Sequence, residues 1–485
     1  MLFNYKVISR VIGVLLLING LFMITCLPFS LYYKGDDFWP LIHSALIAIG
    51  FGTLFFFVGR RNSSRELKKK DGYLIVTLGW VFMSAFGAIP FVLSGAIPNY
   101  TDAFFETISG FSTTGATILT DIESIDKGIL FWRSLTQWIG GMGIIVLTVA
   151  ILPLLGIGGM QLFVAEAPGI SPDKLQPRIK ETAKRLWIIY IGLTGLEMIL
   201  LWAGGMTFYD AINHSLTTMA TGGFSTKNAS IAHYSSPYIQ YVIIIFMFLA
   251  GTSFTMTYLG LHGKFLKVLK NEEFRFYLIF TLVVSTLVGL VIFSLGHDTL
   301  EKSIRDALFQ VISLVTTTGY VTHDYTSWTS FITVIFFLLM FAGGSAGSTA
   351  GGVKLVRHII LIKNSLQELK RQLHPSAIIP VRFNGKAVNR DITFNVLAFI
   401  MIYILIFCIG SIVIASFGID FNTALGSVAT TLGNIGPGIG DVDPVDNFHF
   451  LPTPVKWILS FLMLLGRLEL FTVLILFTPY FWRKV

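Results

Sequence analysis

Charge and cysteine are the two things that this sequence has little of. Only 13% of its 485 residues are charged, against roughly 25% in an average soluble domain. With 54% hydrophobic residues and a mean hydropathy of +0.73, the composition excludes a soluble globular enzyme. The 43 Phe and 9 Trp exclude a disordered chain, because that much apolar surface does not stay hydrated. A lipid bilayer is the solvent that these numbers imply.

The two cysteines, Cys26 and Cys408, lie in long apolar runs, so the sequence has neither a disulfide framework nor a CxxC metal motif. The nine histidines are scattered and contain no HxxxH or HExxH pair. A polytopic membrane enzyme would need converging catalytic groups. The sequence argues against that class and predicts no organic cofactor.

Ten apolar runs approach or exceed the roughly 20 residues that a helix needs to cross a bilayer. They are 11–33, 41–58, 72–93, 129–155, 186–206, 238–261, 274–295, 328–362, 392–417 and 455–477. The eighth run is too long for one span and is broken in its middle. The first follows two basic residues and could be a signal peptide, but it is long for that role and no small-residue cleavage pattern follows. We therefore predict ten spans.

Basic residues are distributed very unevenly about these spans. With both termini on the same side, 27 Lys and Arg fall on that side, seven fall on the other, and Arg467 lies inside a span. Cytoplasmic loops carry such an excess of positive charge. The sequence thus predicts a cytoplasmic-membrane protein with both termini in the cytoplasm. The pI of 9.3 then needs no nucleic-acid partner.

Acidic residues show the reverse distribution, with 16 of 27 on the outer side. One interpretation is ordinary solvated loop charge. The other is a vestibule that attracts cations, because charge of one sign around a low-dielectric opening concentrates counter-ions. The residues concerned include Asp36, Asp37, Asp121, Glu123, Asp126, Asp298, Asp324, Asp441, Asp443 and Asp446.

One short pattern on the outer side occurs four times. Each copy opens with Asp or Thr followed by Ala, and ends 13 residues later in glycine. The opening residues are Asp102, Asp210, Asp306 and Thr423. The closing strips, called strips 1 to 4 below, are Ser112, Thr113, Thr114 and Gly115; Ala220, Thr221, Gly222 and Gly223; Thr316, Thr317, Thr318 and Gly319; and Gly433, Asn434, Ile435 and Gly436.

Each copy lies between two spans and is too short to cross a bilayer as a helix. We expect a helix that re-enters the membrane from outside, capped by its opening residue and buried in protein. Its C-terminal end would aim partial negative charge at the membrane middle.

A single Thr/Gly strip could be the end of an ordinary loop. Four strips at the same offsets favour an ion filter. Four strips around an axis would form rings of carbonyl and hydroxyl oxygens that replace the hydration shell of a monovalent cation. Divalent ions would favour carboxylates, which the strips lack.

These units and the broken eighth span resemble the Trk/Ktr/HKT superfamily of potassium transporters, and the two extra N-terminal spans resemble its bacterial TrkH-type membrane subunit. The resemblance covers essentially the whole chain. It implies an all-α membrane fold with a single-chain pseudo-tetrameric pore and K⁺ as the transported ion. It also implies two helices in residues 1–70 and pore repeats at 71–160, 161–270, 271–375 and 376–485.

In plant members, serine in place of the first filter glycine is associated with sodium transport, so Gly115 favours potassium. Strip 4 departs most from the family pattern, with Asn434 and Ile435 replacing two threonines. Sodium-selective transport, or coupling to Na⁺ or H⁺, on the same scaffold stays open.

The break in the eighth span is rich in glycine. Each glycine destabilises a helix by about 1 kcal/mol relative to alanine, so this segment disfavours a continuous helix. It consists of Gly343, Gly344, Ser345, Ala346, Gly347, Ser348, Thr349, Ala350, Gly351 and Gly352. No Walker lysine–serine pair follows. By resemblance this segment is a movable gate beneath the filter. The alternative is close helix packing through glycine.

Arg467 is the one basic residue inside a predicted span, which marks a functional hypothesis. By resemblance it is a barrier in the pore below the filter. The alternative is an ion pair with Glu197 or Glu469, of which Glu469 is disfavoured because residues two apart do not share a helix face.

The resemblance implies two partners, which are a second copy of the chain and a cytosolic nucleotide-binding regulatory subunit of TrkA type. The apolar composition adds membrane lipid as a third. The basic stretches 156–185 and 354–390 are long enough to dock that subunit, although anionic lipid would also explain them. A purely structural membrane anchor would have no need for four matching strips.

Overall fold

The computed structural model describes residues 3–59, 69–143, 179–296, 299–377 and 379–483. These residues are mostly helical, with a two-residue antiparallel hairpin of strands β1 (Arg382–Phe383) and β2 (Lys386–Ala387). The second half of the predicted fourth span and most of the basic stretch 156–185 lie outside the described residues.

The helices of the first half of the chain are α1 (Tyr5–Ile24), α2 (Leu27–Tyr33), α3 (Phe38–Val58), α4 (Lys69–Gly87), α5 (Ile89–Leu93), α6 (Tyr100–Phe111), α7 (Lys127–Gly141), α8 (Ile179–Ala203), α9 (Phe208–Met219), α10 (Pro237–Ala250) and α11 (Phe254–Leu261). Those of the second half are α12 (Phe265–Lys270), α13 (Glu272–Ser294), α14 (Leu300–Val315), α15 (Ser330–Leu339), α16 (Leu355–Leu373), α17 (Arg390–Ala415), α18 (Phe421–Gly433), α19 (Thr453–Arg467), α20 (Phe471–Leu474) and α21 (Pro479–Trp482).

Among the described residues, six helical segments are long and apolar enough to cross a membrane. They are Tyr5–Tyr33, Phe38–Val58, Lys70–Leu93, Lys184–Ala203, Glu272–Ser294 and Arg390–Ala415. Two bent helix pairs bring the number to eight if each pair is one span. These eight match eight of the ten predicted spans. Of the other two, the fourth is described only as far as residue 143, and the eighth holds the short apolar helix α15.

The sixth and tenth predicted spans are each bent, a feature that the sequence did not predict. Helices α10 and α11 meet at 111°, and α19 meets the helical segment Phe471–Phe477 at 113°. At the first break the Gly251 carbonyl accepts a hydrogen bond of 2.9 Å from the Ser345 amide instead of continuing the helix. At the second, Glu469 and Leu470 both have φ of 54°, which a right-handed helix does not allow.

The eighth span is broken as predicted. Helix α15 ends at Leu339 and α16 begins at Leu355, and the glycine-rich segment fills the interval without helix. Helix α16 then runs on to Leu373, well past the end of the predicted span.

Four short helices, α6, α9, α14 and α18, precede the four strips and have 12, 12, 16 and 13 residues. The predicted caps are wrong, because the helices begin earlier than the repeat pattern does. Their N-caps are Asn99, Thr207, Thr299 and Asp420, and each side chain accepts from an amide in the first turn. Asp102, Asp210 and Thr423 lie in the first turn, and Asp306 lies in the second.

The first two membrane helices pack backbone against backbone. A β-carbon on Gly52 of α3 would lie within 3.0 Å of Leu17 N and Gly13 O of α1. Small residues permit this approach, which is the usual way that helices associate in a bilayer. Gly50, on another face of α3, has no neighbouring heavy atom within 4 Å of the same position.

We expect Gly52→Val to destabilise the fold by separating α1 from α3, because an overpacked contact costs about 1–3 kcal/mol. Gly50→Val is the matched control in the same helix. Thermal unfolding of the purified protein in detergent measures both variants. Equal melting temperatures for the two would contradict this packing.

Candidate functional site

The four strips share one backbone geometry that is rare for side-chain-bearing residues. Two positions before each glycine stand Thr113, Thr221, Thr317 and Asn434, with φ of 55°, 54°, 55° and 53°. The glycines Gly115, Gly223, Gly319 and Gly436 follow with φ of 82°, 76°, 79° and 105°. A left-handed β-branched residue costs of order 1–3 kcal/mol and persists only where the surrounding structure imposes it. Such strain clusters at functional sites.

The strips form a closed ring in sequence order. A β-carbon on Gly115 would strike the carbonyl oxygen of Gly222, and one on Gly223 would strike that of Thr318. One on Gly319 would strike the carbonyl of Ile435, and one on Gly436 would lie 2.9 Å from that of Thr114. Each strip therefore touches the next, and the fourth returns to the first. Glycine is required at these four positions by its φ and by the neighbouring carbonyl.

Hydroxyl groups link positions within and between strips. The hydroxyls of Ser112 and Thr114 lie 2.6 Å apart in strip 1, and those of Thr316 and Thr318 lie 2.7 Å apart in strip 3. In strip 4, Asn434 Nδ2 donates to Thr114 Oγ1 across the ring and to the Met463 carbonyl, both at 2.9 Å. Asparagine thus makes the contact between strips 4 and 1, which explains how strip 4 can depart from the threonine pattern.

An open cavity of about 140 Å³ lies against the ring, and all four ring glycines contribute to its lining. Asp443 and Asp446 line it as well. Partial burial, together with the like charges of Asp324 and Asp446, raises the pKa of Asp443 above its ordinary value of 3.8. Asp443 therefore loses its negative charge at a higher pH than a free aspartate does.

Not every outer carboxylate faces this cavity. Asp37 is fully buried and accepts hydrogen bonds from Ser30 Oγ and from the Ile129 amide at 2.8 Å. It is a structural residue that joins α3 to α7, so assigning it to a vestibule is wrong. Asp298 lies outside the described residues.

A polar residue in the second or third turn of three short helices holds the segment that follows the glycine. Glu106 accepts from Thr117 Oγ1 and the Ile118 amide, both at 2.9 Å. His214 Nε2 lies 3.0 Å from Ser225 Oγ, and Gln310 Nε2 donates to the His323 carbonyl at 2.9 Å. The sequence reasoning missed these residues. Their signal was a polar residue four positions after each opening residue.

Glu106 also forms a buried ion pair with Arg133 of α7, with Nε to Oε1 at 2.7 Å. Arg133 donates to the Ser225 carbonyl at 3.0 Å and lies 3.6 Å from the centre of the Phe224 ring. One guanidinium thus connects the first short helix to the segment after strip 2. Arg133 counted as an outer-side charge in the sequence, but in the structure it is only 2% exposed.

The glycine-rich segment 343–352 packs directly against the strips. The Gly351 amide donates to Thr317 Oγ1 of strip 3 at 2.6 Å. Thr349 Oγ1 donates to the Met219 and Ala250 carbonyls at 3.0 and 3.2 Å. At its other end the segment pairs with the break between α10 and α11, where the Phe254 amide donates to the Gly347 carbonyl at 3.0 Å. The Ala346 amide donates to Glu273 Oε1 at 2.7 Å.

Arg467, the last residue of α19, joins strip 1 to the glycine-rich segment. Its guanidinium donates to Thr113 Oγ1 at 3.0 Å and to the Thr349 carbonyl at 2.8 Å. It also donates to the carbonyls of Gly140 and Gly141, at 2.5 and 3.0 Å, where α7 ends. The last carbonyls of a helix have no partner within it and carry partial negative charge. Helix ends therefore stabilise this cation inside the membrane region.

The carboxylates considered as partners of Arg467 have other surroundings. Glu469 forms an ion pair with Arg357. Glu197 is fully buried, and neither of its carboxylate oxygens has a hydrogen-bond partner among the described residues. In the part of the chain that the structure describes, no group of three or more His, Cys, Asp and Glu residues could hold a metal ion. The ring offers carbonyl and hydroxyl oxygens instead.

Apolar helices long enough to cross a membrane and a closed ring of strips define a polytopic membrane protein. A family model described as cation transport protein, TrkH, matches residues 41–484. The chain therefore belongs to the TrkH family of cation transport proteins.

Relatives and a solved structure match over nearly the full length. The chain is 41% identical to the Trk system potassium uptake protein TrkH of Salmonella typhimurium, over 99% of this chain and 100% of that protein. It is 42% identical to the protein of the same name in Escherichia coli (strain K12), with the same coverage. The crystal structure of the potassium transporter TrkH from Vibrio parahaemolyticus matches with a TM-score of 0.88 and 37% identity, covering 99% of this chain and 100% of that chain.

We expect Thr317→Val to loosen the glycine-rich segment, because the buried Gly351 amide loses its acceptor. A lost bond of about 1 kcal/mol corresponds to roughly fivefold faster opening-limited exchange. Hydrogen exchange of residues 343–352 in nanodiscs measures this. Thr281→Val is the control, since the Thr281 hydroxyl bonds only within α13, to the Tyr277 and Leu278 carbonyls at 2.8 and 3.1 Å. Unchanged exchange in Thr317→Val would show that the hydroxyl does not hold the segment.

Proposed function

We propose that this protein carries out potassium uptake across the cytoplasmic membrane through a filter formed by strips 1 to 4. The observation that carries the proposal is the closed ring, in which each glycine faces the carbonyl of the next strip. The names of the relatives, all potassium uptake proteins, support the same ion. The site residues are the sixteen residues of the four strips.

The chemistry of the ring suits a monovalent cation. None of the four strips contains a carboxylate, so a bound ion meets only neutral oxygens. Such oxygens replace the hydration shell of a potassium ion without holding it too tightly to leave. Acidic residues at the outer cavity, such as Asp443 and Asp446, raise the local cation concentration before entry.

The architecture that goes with this function has ten spans. Four units of span, re-entrant helix, strip and span surround the pore, after two N-terminal helices, and both termini are cytoplasmic. Support comes from the eight matched spans, the four short buried helices and the 27 to 7 distribution of basic residues.

Segment 343–352 is the gate of this pore, and Arg467 is its electrostatic barrier. The segment bonds to strip 3 through Thr317, while Arg467 bonds to both strip 1 and Thr349. Few side chains and five glycines allow the segment to move, and conformational gating of this kind controls access in many proteins. A fixed positive charge below the filter opposes the passage of cations.

The protein works as a homodimer in the lipid bilayer with a nucleotide-binding regulatory subunit on its cytoplasmic side. Helix α16 supports a docking role, because it begins directly after the gate and is amphipathic. Its exposed apolar residues recur every three or four positions, at Ile362, Leu366, Leu369 and Leu373, which is the spacing of a helix that packs on a partner.

The central test is growth of a potassium-uptake-deficient bacterium at low potassium, with the regulatory subunit co-expressed. We expect the intact chain to restore growth. Gly115→Ser should lower the preference for potassium over sodium, because a β-carbon there meets the Gly222 carbonyl. Flux with and without sodium and proton gradients separates uniport from coupled transport. No rescue by a well-expressed intact chain would refute the proposal.

Removing the barrier should increase flux. We expect Arg467→Ala to raise rubidium uptake into proteoliposomes several-fold while the preference for potassium over sodium persists, because the strips keep their glycines. Lys456→Ala is the control, since Lys456 pairs with Asp102 at 2.7 Å, away from the strips. A folded Arg467→Ala protein with unchanged flux would exclude the barrier.

A further inference from the structure

Strip 2 lacks the side chains that organise its neighbours. Strips 1 and 3 each carry a hydroxyl pair, at positions 112 and 114 and at 316 and 318. The same positions in strip 2 are Ala220 and Gly222, so no hydroxyl pair can form. Strip 2 also has two consecutive glycines, whose backbone is freer than that of Thr–Gly. Something outside the strip has to fix its conformation.

The side chain of Gln137, from α7, occupies the vacant position. A β-carbon on Gly222 would lie within 3.0 Å of Cδ, Oε1 and Nε2 of Gln137. Gln137 is fully buried. No motif in the sequence marks it, because it lies in α7, more than 80 positions before strip 2.

The Gln137 amide holds both peptide groups around Gly223. Its Nε2 donates to the Gly222 carbonyl at 2.5 Å, and its Oε1 accepts from the Phe224 amide at 3.0 Å. One turn earlier in α7, Arg133 holds the Ser225 carbonyl, three residues further along the chain than Gly222. A single helix face therefore sets the path of strip 2 from its third residue outward.

The carbonyl that Gln137 binds belongs to the ring. Gly222 O faces Gly115 of strip 1, as Thr318 O faces Gly223 and Ile435 O faces Gly319. Its direction therefore affects the size and symmetry of the ring. We propose that Gln137 is a positioning residue that determines the ion selectivity of strip 2 by fixing the Gly222 carbonyl. This inference rests on the proposed function of the ring as a filter.

The test compares four variants in proteoliposomes, with rubidium and sodium uptake measured per folded protein. Gln137→Ala should lower the rubidium-to-sodium ratio by about three- to tenfold, the effect of losing one neutral hydrogen bond. Gln137→Met keeps the side-chain volume but cannot form the two hydrogen bonds. It should lower the rubidium-to-sodium ratio to the same extent, and it tests the inference if Gln137→Ala does not fold. Gln240→Ala is the matched control. Its buried amide donates to the Tyr234 carbonyl at 3.1 Å and accepts from Arg305 Nη1 at 2.5 Å, both outside the strips. The rubidium-to-sodium ratio of Gln240→Ala should stay at the wild-type value.

The fourth variant is a rescue. The φ of Gly222 is outside the left-handed region, so threonine fits the backbone there once Gln137 is shortened. The triple variant Gln137→Ala with Ala220→Ser and Gly222→Thr gives strip 2 the Ser/Thr hydroxyl pair and the Thr–Gly ending of strip 1. We expect its ratio to return to within about threefold of wild type, since a local hydroxyl pair again restrains the strip.

Two results would overturn the inference. One is a wild-type ratio in folded Gln137→Ala and Gln137→Met, which would make Gln137 a packing residue only. The other is a folded triple variant no more selective than Gln137→Ala. Absence of rubidium uptake by the wild-type protein itself would instead refute the proposed function.

Discussion

The contact between a glycine of one strip and a carbonyl of the next is the constraint on which the rest of the structure depends. It occurs at Gly115, Gly223, Gly319 and Gly436 and closes the ring. No side chain fits there, and the residue two positions earlier is held at a positive φ in every strip. This strained backbone has to be stabilised from behind, which explains why hydrogen-bonding side chains such as Glu106 and His214 surround the strips.

Three buried or partly buried basic side chains pair with groups of the protein itself. Arg133 has Glu106, and Lys456 has Asp102. The partners of Arg467 are carbonyl oxygens at the end of α7, the Thr113 hydroxyl and the Thr349 carbonyl. An isolated charge in hydrocarbon is costly, and oriented carbonyls at a helix end reduce that cost without neutralising the charge.

Three helix breaks contact one another. The segment between α15 and α16 bonds to the break after α10, through Gly251 and Gly347, and to Arg467 at the break after α19. Backbone groups freed at one break find their partners at another, so unsatisfied donors and acceptors are avoided within the membrane region. Hydrogen bonds thus hold these non-helical segments together, while their glycines leave the backbone conformationally permissive.

Hydropathy and charge placement were enough to predict a helical membrane protein, and the matching of eight spans bears this out. The spacing of the four copies located the strips, and the glycine content located the break in the eighth span, because both are local properties of the chain. The helix starts, the two bends, the carbonyl partners of Arg467 and the contacts of Gln137 were decided only by tertiary structure. Each depends on an atom from a segment that is distant in the sequence. Because every residue has a backbone carbonyl, the sequence does not show which carbonyl becomes a partner.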